Sequence, residues 1–157
     1  MNVFFDFLRR KRIVLIVISV IVLVLLAVWV IFGLFYIPDT AFCEGVGEYS
    51  LIAETKEQRE EFFMPFGYKA ESYEDSEIIV PSEGESFKEY NEIQKSQGLD
   101  LVPYAGEKAQ LWVLSLEDSG NNELYGFLIV YRNRVIGGHI SDCVYPARVL
   151  GFHSEVG

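Results

Sequence analysis

Residues 13–36 carry no charged side chain, only Val, Ile, Leu, Ala, Phe, Trp and Tyr with Ser19 and Gly33. No polar face interrupts this run, as one would in a helix packed against a water-soluble core. As a helix, about 24 such residues extend about 36 Å, enough to cross a hydrocarbon core of about 30 Å with some tilt. Arg9, Arg10, Lys11 and Arg12 stand directly before the run, and the next basic residue after it is Lys56. The positive-inside rule then keeps residues 1–12 as a basic cytoplasmic stub and exports the chain beyond the run. Trp29, Phe35 and Tyr36 suit the outer interface. A cleaved signal peptide also begins with a basic stub and an apolar stretch. Its core, however, is only about 7–15 residues long and ends in a small-residue site, whereas Thr40-Ala41-Phe42-Cys43 offers a bulky Phe. The pattern predicts an uncleaved single-pass anchor at 13–36.

Past the anchor, Pro38, Asp39, Gly45 and Gly47 predict a linker over 37–53, and residues 54–157 form the domain. Thr55 with Gln58 three residues on is a capping box, opening a helix that stops near Phe63 or Met64 ahead of Pro65 and Gly67. Residues 68–80 read as extended. Ser86 and Glu89 make a second capping box, for a helix ended by Gly98. Phe87, Tyr90, Ile93, Gln94 and Gln97 share one of its faces. Alternating patterns at 110–116, 124–131 and 134–141 predict strands, joined by a polar loop at 118–122 and a tight turn at Arg132-Asn133. Val149, Leu150 and Phe152 are candidates for an edge strand. The expected fold is α+β: two helices packed on one face of an antiparallel meander of about three to five strands.

Charge narrows the partners. The chain has 13 Lys+Arg against 23 Asp+Glu, a net charge of −10. With the basic stub set aside, the domain is more acidic still. Nucleic acid and anionic lipid head groups are repelled by such a surface; solubility or a cationic partner accounts for it. The domain is expected to be monomeric.

Candidate chemistry is thin. His139 lies near Cys143 in sequence, the minimum for a Cys–His pair, yet a histidine on a strand surface explains it as well. Cys43, His139, Cys143 and His153 number a zinc quartet without the close pairings such sites use. Asp118, Asn121, Asn122 and Glu123 lack the calcium-loop order. No catalytic residue, metal site or cofactor is therefore assigned. Cys43 and Cys143 can pair across a loop of about 100 residues, for ~4–5 kcal/mol in the chain-entropy account, or stand as separate thiols. The amide-rich helix is the most informative feature. Buried Asn91 and Gln94 need partners, and they either tie the helix to the 98–100 loop or a strand edge, or face a ligand. The ligand-facing reading gathers Tyr90, Asn91, Gln94, Asp100 and Tyr104, with Gly137 and Gly138 marking close backbone approach.

Five stretches carry a family resemblance: Arg59-Glu60-Glu61-Phe62-Phe63 with Gly67-Tyr68; Tyr90-Asn91-Glu92-Ile93-Gln94-Lys95; Gln97-Gly98-Leu99-Asp100-Leu101; Tyr104-Ala105-Gly106; and Val135-Ile136-Gly137-Gly138. In this order, over residues 55–140, the chain resembles the bacterial domain of unknown function 4830. It departs from that pattern at Tyr68, Leu99 and His139, at Pro65, and in the acidic insert at 82–85. The resemblance implies export from a Gram-positive bacterium behind an anchor or signal, and supplies no activity. Together these readings point to a membrane-anchored extracytoplasmic protein. The first expectation is a non-catalytic binding or accessory module that meets an envelope protein or cell-wall component. A small exported hydrolase-like enzyme and a structural or stress-related envelope protein are the alternatives.

Overall fold

The computed structural model describes residues 2–117, 124–142, 146 and 148–153, in two compact units, Met1–Ile37 and Pro38–Gly157. The first unit is one helix, α1, Asn2–Phe35. It starts well before the predicted anchor because residues 3–12 contain neither Gly nor Pro to stop it. Side chains are described within it for Lys11 and for residues 14–30, and those of 14–30 are all exposed. Among the described residues no helix is long and apolar enough to cross a membrane.

The second unit begins earlier than expected, because residues 37–53 are not a linker. Strands β1 (Thr40–Cys43) and β2 (Gly47–Ser50) pair antiparallel, with Thr40 opposite Ser50 and Cys43 opposite Gly47. Gly45 and Gly47, at φ 86° and 98°, make the turn between them instead of loosening the chain. Ala41, Cys43, Tyr49, Leu51 and Ala53 are all buried, so the hairpin is part of the core.

Helix α2 (Lys56–Glu61) has the predicted capping box between Thr55 and Gln58. After it a 3₁₀ turn, Met64–Phe66, ends at Gly67, whose N–H bonds the Met64 carbonyl at φ 90°. This turn drives Phe62, Phe63 and Phe66 into the core, where they meet Tyr49 and Phe152 at ring separations of 5.0–5.7 Å, mostly edge to face. Such contacts add about 0.5–1.5 kcal/mol each beyond area burial.

Strands β3 (Lys69–Ile79), β4 (Lys108–Glu117), β5 (Leu124–Tyr131) and β6 (Arg134–Ser141) form the expected antiparallel meander in the order β3-β4-β5-β6. A bulge interrupts β3 between Ser72 and Glu74. Arg132 and Asn133 turn the chain at φ 48° and 61°, both positive as a type I′ hairpin requires. The predicted loop at 118–122 lies outside the described residues.

Helix α3 (Glu85–Ser96) is capped by Gly84 at φ 110° with no side-chain hydrogen bond. The predicted Ser86–Glu89 box does not form, because the helix begins at Glu85 and leaves Ser86 inside its first turn. Gly98, at φ 81°, ends it as predicted, donating to the Lys95 carbonyl.

The helices do not share one sheet face. Leu114, Leu116, Leu124, Leu128 and Val130 belong to the core cluster with Phe62, Phe63, Phe66 and the hairpin, and Arg59 of α2 stacks on Trp112 at 3.9 Å. The opposite face carries Gly137 and His139, and these meet α3. A Cβ on Gly137 would come within 2.8 Å of Leu101 and 3.2 Å of Gln94, and Tyr90 packs edge-on against His139. In the tail, Leu150 makes a single bridge to Ile140 in place of the candidate edge strand. Phe152 is fully buried in the core.

Candidate functional site

The amide face of α3 is spent on the fold. Gln94 is 0% exposed; its Oε1 accepts from the Gly138 N–H at 2.7 Å and from Gln97 Nε2 at 3.3 Å. Gln97 Nε2 also donates to the Gly138 carbonyl at 3.3 Å, and its Oε1 accepts from the Phe152 N–H. The Gln97 carbonyl accepts from Tyr49 O–H at 2.7 Å. Asn91, 3% exposed, donates to Asp100 Oδ1 at 2.9 Å and accepts from the Leu101 N–H at 2.8 Å. Asp100 in turn accepts from the Val102 N–H at 3.0 Å. Asn91 thus ties the helix to the 98–100 loop, while Gln94 ties it to a strand edge. Both of the structural ties anticipated from the sequence are present.

The second tie has a particular logic. In an antiparallel ladder alternate residues bond to opposite sides, and in β6 the outward residues are Gly138 and Ile140. Ile140 exchanges both bonds with Leu150. Gly138 has no outward backbone partner among the described residues, and the two glutamines, one turn apart, supply an acceptor for its N–H and a donor for its C=O. They stand in for a missing strand. Gly137 and Gly138 admit this approach, since a Cβ on Gly138 would lie 2.8 Å from the Phe152 ring and 2.2 Å from the Phe127 carbonyl oxygen. The edge of β6 is thereby covered, Val135 donating to the Leu51 carbonyl at its start.

The remaining sequence candidates fall into separate places. Tyr90 O–H lies 3.0 Å from His139 Nδ1, and the imidazole stacks on Phe127 at 4.5 Å and 2°. Burial lowers the His139 pKa to about 4 and raises that of Tyr90. The imidazole is neutral at pH 7, and it shares a hydrogen bond with the tyrosine hydroxyl through Nδ1. Tyr104 is half-buried and packs on Tyr131 at 5.6 Å, and burial raises its pKa.

Cys43 is a free, buried thiol whose nearest acceptors are the Glu44 and Ser96 carbonyls at 3.7 and 4.0 Å. Burial, and then Glu44, raise its pKa, so it is a poor nucleophile. Cys143, and with it the conceivable Cys–His pair, zinc quartet and disulfide, lies outside the described residues, as do Asp118 to Glu123. Among the described residues no group of His, Cys, Asp and Glu is placed to hold a metal.

Sequence reasoning missed one open feature. A groove of about 550 Å³ runs between α2 and the start of β3, floored by Met64, Tyr68 and Ala70 and rimmed by Glu57, Glu60, Glu61 and Lys69. The capping box located α2, but nothing local says that the helix lies beside the strand that comes after it. The signal that could have found it is Met64, an apolar side chain left exposed beside the glutamates of α2.

Compared with known proteins, residues 49–140 match the model of a domain of unknown function, DUF4830. No curated protein and no solved structure matches the chain.

Proposed function

Starting from a chain that belongs to the domain of unknown function 4830 family, we propose that it is a membrane-tethered, non-catalytic binding or accessory module of the cell envelope. The observation that carries the tether is the uncharged run at 13–36 behind Arg9, Arg10, Lys11 and Arg12. The exposed, apolar side chains from Val14 to Val30 on α1 support it, because nothing described in that unit buries them. Arginine and lysine adjoin the run on its N-terminal side, and the next basic residue beyond it is Lys56, which favours an N-terminus in the cytoplasm and the acidic domain outside.

Two features support binding over chemistry. The polar groups that could have formed a reactive site, Asn91, Gln94, Gln97, Tyr90 and His139, hold one another or the backbone. Cys43, the described thiol, is buried and protonated. Protease added to intact protoplasts should remove a C-terminal epitope while leaving the N-terminal stub. Crosslinking from outside should then capture a reproducible envelope partner. An epitope that stays shielded until the membrane is opened reverses the topology. A carboxylate change that abolishes a measured hydrolysis replaces the binding module with an enzyme.

A further inference from the structure

The two edges of the sheet are treated oppositely. β6 is covered along its length by Leu51, the two glutamines and Leu150. At the other edge β3 is long, 11 residues, and pairs only with β4 among the described residues. Its ladder parity can be read from β6. Gly138 and Ile140 bond outward, so β5 residues 125, 127 and 129 bond to β6, and β4 residues 109, 111 and 113 bond to β3. Those three face Ile78, Ser76 and Glu74. Asp75, Glu77 and Ile79 therefore direct their peptide N–H and C=O groups away from the sheet. Among the described residues no backbone hydrogen bond reaches these outward groups. Such an edge is a ready template for another strand.

Charge selects the occupant. Glu71 and Glu74 lie on one face of the edge, Asp75 and Glu77 on the other, and all four are exposed. Lys108 reaches Glu77 at 2.8 Å, while no basic residue of β3 itself lies between Lys69 and Ile79. A second copy of this chain would bring its own carboxylates against these and be repelled. Where β3 begins, the groove between α2 and the strand adds an apolar floor with a glutamate rim. An incoming strand that passes Ala70 can lower one long side chain into it.

We propose that β3 is a strand-addition edge for a cationic, extended polypeptide segment, its backbone pairing with Asp75, Glu77 and Ile79, its lysines or arginines meeting the flanking carboxylates, and one apolar-stemmed side chain entering the Met64–Tyr68 groove. This names the partner of the binding module and rests on that reading. Main-chain bonds give affinity in this mode of recognition, and side-chain pockets give selectivity.

The test uses the purified full-length chain in detergent and an acetylated peptide of alternating lysine and valine, monitored by fluorescence anisotropy. Binding is expected at low salt, with amide exchange slowed along β3. Asp75→Asn, which keeps the N–H, should weaken binding a few fold. Asp75→Pro, which removes an N–H the fold does not use, should weaken it by at least about tenfold. A peptide N-methylated at alternate residues should fail likewise against the unaltered protein, which answers the question even if the proline variant misfolds. Absence of binding overturns the proposal. So does binding indifferent to N-methylation, which would mean charge attraction without strand pairing. Either result, beside a partner still captured in cells, leaves the binding module standing and removes only this edge.

Discussion

Replacing Gln94 with leucine tests the strand-mimic role of the α3 amides with almost no change of side-chain volume. The leucine removes the acceptor for the Gly138 N–H, bonded at 2.7 Å, and for Gln97 Nε2 at 3.3 Å. Gln97 keeps its bond to the Gly138 carbonyl, so the principal orphan is one backbone N–H at a fully buried site. An unsatisfied buried donor costs about 1–3 kcal/mol, and the weakened Gln97 amide adds to that. Leucine's better transfer from water offsets roughly 1 kcal/mol. A net loss of about 2 kcal/mol should lower the melting temperature of a domain this size by roughly 6–12 °C. Thermal unfolding monitored by circular dichroism measures it, and hydrogen exchange should show the Gly138 amide opening faster. Gln110→Leu is the control, since Gln110 is exposed and its side chain accepts a long bond from Trp112 Nε1 at 3.4 Å; it should stay within about 0.5 kcal/mol. If Gln94→Leu melts with the parent protein and Gly138 stays protected, the glutamines are not the missing strand.

His139 should make stability depend on pH. Its folded pKa is lowered to about 4 by burial from an unfolded value near 6.5. The unfolded chain therefore binds more protons between those values, so stability is full above about pH 6.5 and falls by up to about 3 kcal/mol as pH drops to about 4. Denaturant titrations across that range should show this step in the parent and not in His139→Phe; equal slopes would reject the assignment. Gly126→Ala should destabilise by about 1–3 kcal/mol or more, because the added Cβ would sit 2.3 Å from the Phe63 ring; an unchanged urea midpoint would mean that the aromatic cluster yields more easily than its packing implies.

How much of this was legible in the sequence depends on whether the signal was local. The Thr55–Gln58 box, the Arg132-Asn133 turn and the alternation in β4 to β6 are written in adjacent residues, and each formed where predicted. The β1–β2 hairpin was not legible. Its four-residue strands are too short for a periodic signal, and its glycines look alike whether they loosen a chain or turn it. Helix α3 began early because Gly84, at positive φ, can enter a helix without any capping side chain. For the candidate site, the sequence correctly marked Asn91 and Gln94 as amides needing partners, and named both ties. It gave no sign that Gln97 completes the pair, or that Tyr90 would find His139, since those contacts span 41 and 49 residues. The open groove and the bare edge of β3 depend on what packs beside them, which no local pattern encodes.

Gln97 also bears on how fast the domain folds. Its carbonyl holds Tyr49, and its side chain holds Phe152, so one residue beside α3 joins the first hairpin to the tail. The phenylalanines that close α2 pack on that same distant Phe152 ring. Strands β4, β5 and β6 are neighbours in sequence and can zip up locally, but this closure must wait for segments roughly a hundred residues apart to meet, and its entropy cost is spent before the contacts repay it. The first-formed sheet would meanwhile expose Gly138 and the Phe63 pocket to solvent. Refolding should accordingly be slow for a chain of this length, in the millisecond-to-second range of non-local β topologies, with the last step reported by the burial of Phe152.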